Sequence, residues 1–326
     1  MKEKFLVLVV IVFSMLAIPL SALSKPEGES ISVANPLLNE PYKPQSAPLD
    51  LGEVRVLKDN VVTAFSTRDY IFGVIAAEMP ALYEREAIKA QAVAAYTYTL
   101  YRISGNTNTE YDITADGQTA QCFITRQEAA ARWGEKADEY AKKIDDCIKA
   151  VEGYYLSYQN APIFAAYHAI SPGKTNSCKD VWDKDLPYLI SVDSIGDTLD
   201  DGFLSEAQFT ASEIAEKLKT IATAPTEPSN YFTDITASET GYVKSALYCD
   251  KKITGQQLRD LLGLRSCNFT IEYVDGNFKF TVKGYGHGVG MSQTGANYLA
   301  KQSKTFDEIL LHYYRGVTLE KIKNFT

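Results

Sequence analysis

Three side chains suited to acid–base chemistry stand where predicted helices and strands end: Glu78, His168 and His287. Glu78 ends an apolar helical stretch just before Pro80, where poor hydration raises the pKa of a carboxyl toward the value that a general acid needs. His287 lies in residues 284–296, among five glycines, and is one of only three histidines in the chain. Because glycine lets the backbone come close to a ligand, this loop can present the imidazole to a cleft.

Three kinds of chemistry fit these residues. The first is glycosidic cleavage led by the single acid Glu78. The second is nucleophilic catalysis by Ser171 or Cys178 with a histidine base, although Ser171 lacks a GxSxG setting. The third is a zinc site made by the two histidines and Cys122, but no local ligand pair supports it, and no cofactor is predicted. Glycosidic cleavage is the leading interpretation. The structural alternatives are a capping role for Glu78 and a Gly-rich turn before a helix.

Two predicted helices, residues 70–79 and 84–102, meet at Pro80 and place Glu78 near the corner of a helical hairpin. A capping-box spacing at Ser66 begins the first helix. The second is rich in alanine, which favours helix and allows close packing against a neighbour. This hairpin is the element that must position the acid.

The other predicted elements mix strands and helices. In chain order they are strands 54–57 and 61–65, helix 127–153, strands 154–158 and 163–167, an amphipathic helical segment 205–224, strands 242–248, 269–273 and 278–282, and helix 307–314. This mixture predicts an α+β fold in which the helical hairpin packs on mixed or antiparallel β-structure. A small helical insertion is predicted at about residues 200–235.

The amino terminus predicts export. Residues 1–23 hold a nearly continuous apolar run behind Lys2 and Lys4, which favours a body outside the cytoplasm. We expect a signal-anchor retained in the membrane; a cleaved signal peptide would give a secreted protein. Residues 24–49 are rich in proline and predict an extended tether. Residues 50–326 then form the catalytic body.

Charge and cysteine content exclude some classes of function. The formal net charge is −8, and no Lys/Arg cluster offsets it, so a nucleic-acid partner is not expected. The five cysteines include no CxxC pair, which argues against a zinc ribbon, and no disulfide is predicted.

Several segments, in this order, resemble the stage II sporulation protein D (SpoIID/LytB) family of peptidoglycan lytic transglycosylases over nearly all of residues 52–320. The segments that carry the resemblance are residues 70–80, 86–95, 167–168, 171, 173–175, 187–192, 286–293 and 312–314.

The resemblance implies that Glu78 is the catalytic acid and base. The reaction would cleave the bond between N-acetylmuramic acid and N-acetylglucosamine and leave 1,6-anhydro ends, during wall degradation at engulfment in sporulation. Substrate-binding side chains would line the cleft: His168, Ser171, Lys174, Thr175, Tyr188, His287, Ser292 and Gln293. The implied partners are peptidoglycan glycan strands, a wall amidase and membrane-bound sporulation proteins.

The chain departs from the family pattern at four positions. Tyr96 replaces an arginine, which removes a fixed cation near the helical hairpin. Ala169 and Pro172 replace a serine and a glycine in the loop after His168, and Pro172 fixes its own φ. Thr294 replaces a tyrosine. These changes motivate an alternative function: a non-catalytic peptidoglycan-binding protein that enhances an amidase.

Overall fold

Helices and strands are interspersed along residues 50–117 and 119–322, the part of the chain that the computed structural model describes. The α-helices of this part, numbered α1 to α9 in chain order, are Thr67–Glu78, Arg85–Ser104, Arg126–Trp133, Ala137–Ala150, Cys178–Trp182, Ala211–Lys217, Gly255–Leu262, Gln293–Lys301 and Phe306–Tyr313. The strands, numbered β1 to β14, are Glu53–Lys58, Val61–Ser66, Ile113–Thr114, Tyr154–Tyr158, Ala161–Pro162, Tyr167–His168, Leu204–Thr210, Phe232–Ala237, Val243–Tyr248, Lys251–Thr254, Phe269–Val274, Asn277–Lys283, Met291–Ser292 and Thr318–Lys321. This mixture confirms the predicted α+β class.

The β1–β2 hairpin leads directly into α1, as predicted. Its two turn residues, Asp59 and Asn60, have φ of +50° and +64°, which is the geometry of a tight turn that matches the twist of the strands. Ser66 ends β2 and caps α1, since its side chain accepts the backbone N–H of Asp69 at 3.1 Å. The hairpin therefore fixes where the Glu78 helix begins.

The predicted helical hairpin is formed by α1 and α2. Met79 leaves α1 with an extended backbone, φ −121° and ψ 145°, as expected for a residue before proline. The connecting loop is held from outside by Lys143, whose Nζ donates to the carbonyl oxygens of Ala81 at 2.8 Å and Tyr83 at 2.6 Å. The Ser66 cap at the start of α1 and the Lys143 hydrogen bonds just beyond its end therefore hold the helix that carries Glu78.

The larger hydrophobic core surrounds α2, which contacts α1, α4, α8, α9 and β4. Its largest fully buried side chains include Tyr70, Phe72, Ile88, Leu100 and Tyr313. Burial of side chains of this size supplies most of the stabilisation of such a core. Small sheets ordered β2-β1-β3 and β14-β4-β5 join this half of the body.

A second core lies within residues 204–283, where two antiparallel sheets, ordered β10-β9-β8 and β11-β12-β7, pack with α6 and α7. Aromatic side chains such as Tyr248, Phe278 and Phe280 fill it. The predicted helical segment 205–224 is only partly helical. Its first six residues belong to strand β7, whose residues alternate between exposed and half-buried because they pair along β12.

Two other predicted elements differ in the structure. The predicted helix 127–153 is broken into α3 and α4, because Gly134 takes φ +56° and ends α3. The predicted strand 163–167 is reduced to the two-residue strand β6, which pairs in parallel with β13. This β6–β13 ladder sets Ser292 beside His168 and so brings two motif segments together.

No helix of the described residues is both long and apolar enough to cross a membrane. The predicted anchor and the predicted tether lie outside the described residues.

Candidate active site

Glu78 lies at the last turn of α1 and keeps part of its surface accessible. Its Oε1 accepts the backbone N–H of Cys122 at 2.8 Å. Burial raises the pKa of the carboxyl, while hydrogen bonds from the Cys122 backbone, the Cys122 thiol and the Gln293 side chain oppose that rise. The balance favours a carboxyl that holds its proton at higher pH than an exposed glutamate does.

The Cys122 thiol is fixed beside Glu78. A Cβ added at Gly117 would lie 2.2 Å from Sγ, so the thiol occupies space that only glycine leaves open. Burial raises the pKa of Cys122 to about 12, and the negative charge of Glu78 adds to this. Although the residue as a whole is exposed, its sulfur is therefore a neutral donor that points toward the acid.

A polar cluster supports the site from within the protein. Gln121 is 2% exposed; its Nε2 donates to Tyr70 OH and to Thr99 Oγ1, both at 3.1 Å, and its Oε1 accepts the hydroxyl of Tyr167 at 2.8 Å. Burial raises the pKa of Tyr70 and Tyr167, and the negative charge of Glu78 adds to the rise. These phenols therefore stay protonated and lie near the acid.

The two predicted site histidines lie together. The ring centroids of His168 and His287 are 5.8 Å apart, and that of Trp182 is 4.8 Å from His287. Nδ1 of His168 donates to the carbonyl oxygen of Val289 at 3.1 Å, and since a carbonyl only accepts, this nitrogen carries the proton. Nε2 of His168 is then an acceptor, and it is buried without a partner among the described residues.

Both histidines are neutral. Burial lowers the pKa of His168 to about 4 and lowers the pKa of His287 well below its ordinary value, with a further contribution from their mutual repulsion at His287. The Nδ1 of His287 accepts the backbone N–H of Val289 at 3.1 Å, and its ring also bonds the backbone of Tyr167. Backbone groups thus fix the His287 ring as a wall of the site.

Ser171 and Ser292 meet at a buried carboxylate, Asp197. Asp197 is fully buried; its Oδ2 accepts the N–H of Ser171 at 2.9 Å and also the Ser171 hydroxyl, and its Oδ1 accepts the Ser292 hydroxyl at 2.8 Å. Burial raises the pKa of Asp197 to about 6. The structure therefore gives both predicted serines a structural partner.

The other predicted substrate-binding residues lie outside the Glu78 contacts. Lys174 is exposed and pairs with Asp193 at 3.4 Å. Thr175 is buried, and its Oγ1 accepts the N–H of Val192 at 2.9 Å. Tyr188 is 6% exposed, and its hydroxyl accepts the N–H of Phe164. Of the predicted set, Gln293 is the residue whose side chain hydrogen-bonds Glu78.

The sequence did not identify three residues that shape the site. Gln121 and Asp197 lie outside the motif segments, and the role of each depends on partners distant in sequence. Trp182 contacts His287, although no motif marks it. The sequence indicates only a metal-ligand role for Cys122, whereas its N–H and thiol hydrogen-bond Glu78.

The departures from the family pattern lie at different distances from the acid. Tyr96 is 5% exposed and lines a cavity of about 40 Å³ with Thr67 and Ile71. Burial raises the pKa of Tyr98, and the charge of Glu78 adds to the rise. Tyr98 is two residues further along α2, so Tyr96 lies on the opposite side of that helix. Glu78 lines neither this cavity nor one of about 230 Å³ beside the β1–β2 hairpin.

The residues around Glu78 do not fit a metal site. Within residues 50–117 and 119–322, no three His, Cys, Asp or Glu side chains converge as ligands. Cys122 lies against a single carboxylate, and the His287 ring hydrogen-bonds the backbone of Val289 and of Tyr167. The predicted zinc alternative therefore has no ligand set in this part of the chain.

Comparison with known proteins shows the family to which this chain is similar. Residues 58–158, which include Glu78 and Cys122, match the family model described as stage II sporulation protein. The chain is 33% identical over 296 residues to stage II sporulation protein D of Bacillus amyloliquefaciens, which covers 90% of this chain and 83% of the relative. It is also 33% identical over 285 residues to the protein of that name in Bacillus subtilis, covering 86% and 82%.

The chain therefore belongs to the stage II sporulation protein D family. It is also similar to a protein described as amidase enhancer in Bacillus subtilis, at 26% identity over 305 residues, which covers 76% of this chain and 40% of that relative.

Proposed function

We propose that this protein is a lytic transglycosylase that cleaves peptidoglycan glycan strands between N-acetylmuramic acid and N-acetylglucosamine. The observation that carries the proposal is the environment of Glu78: a residue with part of its surface accessible, whose buried carboxyl has a raised pKa and is held at one oxygen by the N–H of Cys122. Such a carboxyl is protonated at higher pH than an ordinary glutamate and can give its proton to a leaving oxygen.

One carboxylate suffices for this reaction. A hydrolytic glycosidase needs two carboxyl groups, because one of them activates water or forms a covalent intermediate. In the proposed reaction the 6-hydroxyl of the muramoyl ring attacks its own C1, so proximity replaces a second group. Glu78 protonates the leaving glycosidic oxygen as the C1–O bond breaks. The resulting carboxylate then takes the proton from the 6-hydroxyl as the 1,6-anhydro bond forms.

The neighbours of Glu78 fit the two halves of this cycle. Hydrogen bonds from Cys122 and Gln293 stabilise the carboxylate that exists between the two proton transfers. The buried Gln121 holds the hydroxyl of Tyr167, and Tyr167 directly precedes His168 in the chain. The neutral His168 and His287 form the adjoining wall, where we propose that they contact sugar or acyl groups.

Family membership supports a proposal for the cellular process in which the reaction takes place. We propose that the protein degrades wall peptidoglycan during sporulation, in the company of a wall amidase and membrane-bound sporulation proteins, and that its amino-terminal segment anchors the body outside the cytoplasm. The relatives named for stage II sporulation support the process, and the relative named amidase enhancer supports a wall substrate.

The direct test incubates the purified full-length chain with glycan strands stripped of their peptides and analyses the products by mass spectrometry. The wild type should generate 1,6-anhydromuramoyl ends, and Glu78→Gln should reduce their rate of formation by roughly a hundredfold to ten-thousandfold, since Gln cannot exchange the proton. Glu84→Gln, an exposed glutamate in the same inter-helix connection, is the matched control and should retain activity. Equal rates in wild type and Glu78→Gln would refute the proposal.

The second candidate is a non-catalytic enhancer of a wall amidase, supported by the similarity to the amidase enhancer. It predicts that the chain binds wall material without cleaving it. It also predicts that the wild type and Glu78→Gln stimulate an added amidase to the same extent, because no proton transfer by Glu78 is involved. Stimulation that disappears in Glu78→Gln would contradict this candidate.

A further inference from the structure

The Asp197 cluster joins the two motif segments that carry the site side chains. We infer that Asp197 is a positioning residue for Glu78: it holds the loop after His168 against the start of α8, and thereby sets where Gln293 meets the acid. This inference deepens the proposed function and rests on it only in treating Glu78 as the reacting group.

The hydrogen bonds of Asp197 run to both segments. Ser171 lies three residues after His168 and gives Asp197 its backbone N–H at 2.9 Å and its hydroxyl. Ser292 pairs with His168 in the β6–β13 ladder, caps α8 and donates its hydroxyl to Asp197 at 2.8 Å. Gln293 is the next residue; its Nε2 donates to Gln91 Oε1 at 3.4 Å, and its side chain also hydrogen-bonds Glu78. A carboxylate held by these donors therefore fixes the backbone from which Gln293 reaches both partners.

The close packing of this cluster requires glycine in α8. A Cβ at Gly295 would lie 2.1 Å from the Tyr313 hydroxyl, 2.2 Å from Ser194 Oγ and 3.3 Å from Asp197 Oδ1. Ser194 in turn hydrogen-bonds Tyr313, with 2.7 Å between the two hydroxyl oxygens. The first turn of α8 can approach Asp197 this closely only because its third residue has no side chain.

The surroundings of Asp197 are hydroxyl groups. The side chains that face it from the packed elements are Ser171, Ser194, Ser292, Tyr83, Tyr242 and Tyr313. Among the described residues no cation pairs with this carboxylate. Its interactions are therefore directional hydrogen bonds, which define positions more narrowly than an ion pair on long flexible side chains would.

The test measures the titration of Glu78 rather than activity. Full-length chain labelled with ¹³C at the glutamate side-chain carboxyl is titrated by NMR, and the Glu78 signal is identified by its loss in Glu78→Gln. In Asp197→Asn, Gln293 should move from Glu78 and withdraw a hydrogen bond from the carboxylate. The midpoint of the Glu78 titration should then rise by about half a pH unit or more. Removal of a negative charge alone would lower that midpoint, so a rise isolates the positional effect.

Ser191→Ala is the matched control, because Ser191 donates to Thr175 O at 2.6 Å and has no contact with Asp197 among the described hydrogen bonds. A Glu78 midpoint that is unchanged or lowered in Asp197→Asn, or one that rises as much in Ser191→Ala, overturns the inference. If Asp197→Asn does not fold, Ser171→Ala decides in its place, and a rise in the midpoint is again expected. An inactive wild type would refute the proposed function but would leave this titration interpretable.

Discussion

Asp197 should make the folded protein less stable as the pH rises from about 4 to about 7. Its carboxyl is fully buried, and burial raises its pKa from 3.8 to about 6 although Ser171 and Ser292 donate to it. In the unfolded chain the group returns to its ordinary value. Between the two values the folded state keeps a proton that the unfolded state has released, so stability falls as the pH rises through this window.

The size of the effect follows from the shift. A rise from 3.8 to about 6 corresponds to about 3 kcal/mol of unfolding free energy, at about 1.4 kcal/mol for each pH unit. Asp197→Asn has nearly the same shape and does not titrate, so this contribution should vanish in the variant. Other carboxyls, Glu78 among them, titrate in both proteins and cancel in the comparison.

The assay is urea unfolding of the full-length wild type and of Asp197→Asn at pH 4 and at pH 7. Between these pH values the wild type should lose about 2.4 kcal/mol more than the variant, because at pH 4 the unfolded carboxyl still keeps part of its proton. Asp193→Asn is the control, because the side chain of Asp193 is 76% exposed and that variant should follow the wild type. Equal pH dependence in wild type and Asp197→Asn would refute the reasoning that burial governs this carboxyl.

Two further predictions concern the acid and the glycine-rich loop. Cys122→Ala removes a thiol that donates to Glu78, so the pH at which glycan cleavage is lost on the alkaline side should increase. Cys122→Ser should keep the wild-type pH profile. An unchanged profile in Cys122→Ala would show that the thiol does not affect the pKa of Glu78. Gly290→Ala combines φ +74° with a Cβ 1.9 Å from Ala166 O and should lose at least about 3 kcal/mol in urea unfolding. Gly134→Ala has φ +56° and no atom within 4 Å, so it should lose only about 1–2 kcal/mol; similar losses in the two would contradict the close-approach argument.

Local signals were sufficient for the helical hairpin that carries Glu78. The Ser66 cap and Pro80 each act through groups within a few residues, and the alanines of α2 favour helix wherever they are placed. The β1–β2 hairpin was predictable for the same reason, because Asp59 and Asn60 tolerate the positive φ that the turn requires.

Hydrophobic periodicity predicted secondary structure less well in segments whose conformation depends on neighbouring elements. Residues 204–210 alternate in burial only because β7 lies along β12, and the same residues also suit an amphipathic helix. Gly134 interrupts a segment whose composition otherwise favours one continuous helix, since its positive φ turns the chain between α3 and α4. In both segments the observed secondary structure depends on packing partners that are distant in sequence.

The sequence by itself predicted the helical hairpin and singled out Glu78, His168 and His287 as site candidates, because residue type and short-range spacing mark them. Only the tertiary structure placed Cys122 on Glu78, 44 residues away, and joined Ser292 to Asp197 across 95 residues. It also placed Tyr188 and Thr175 in the protein interior. Hydrogen bonds and burial arise when distant segments pack, and local sequence patterns do not specify which segments meet.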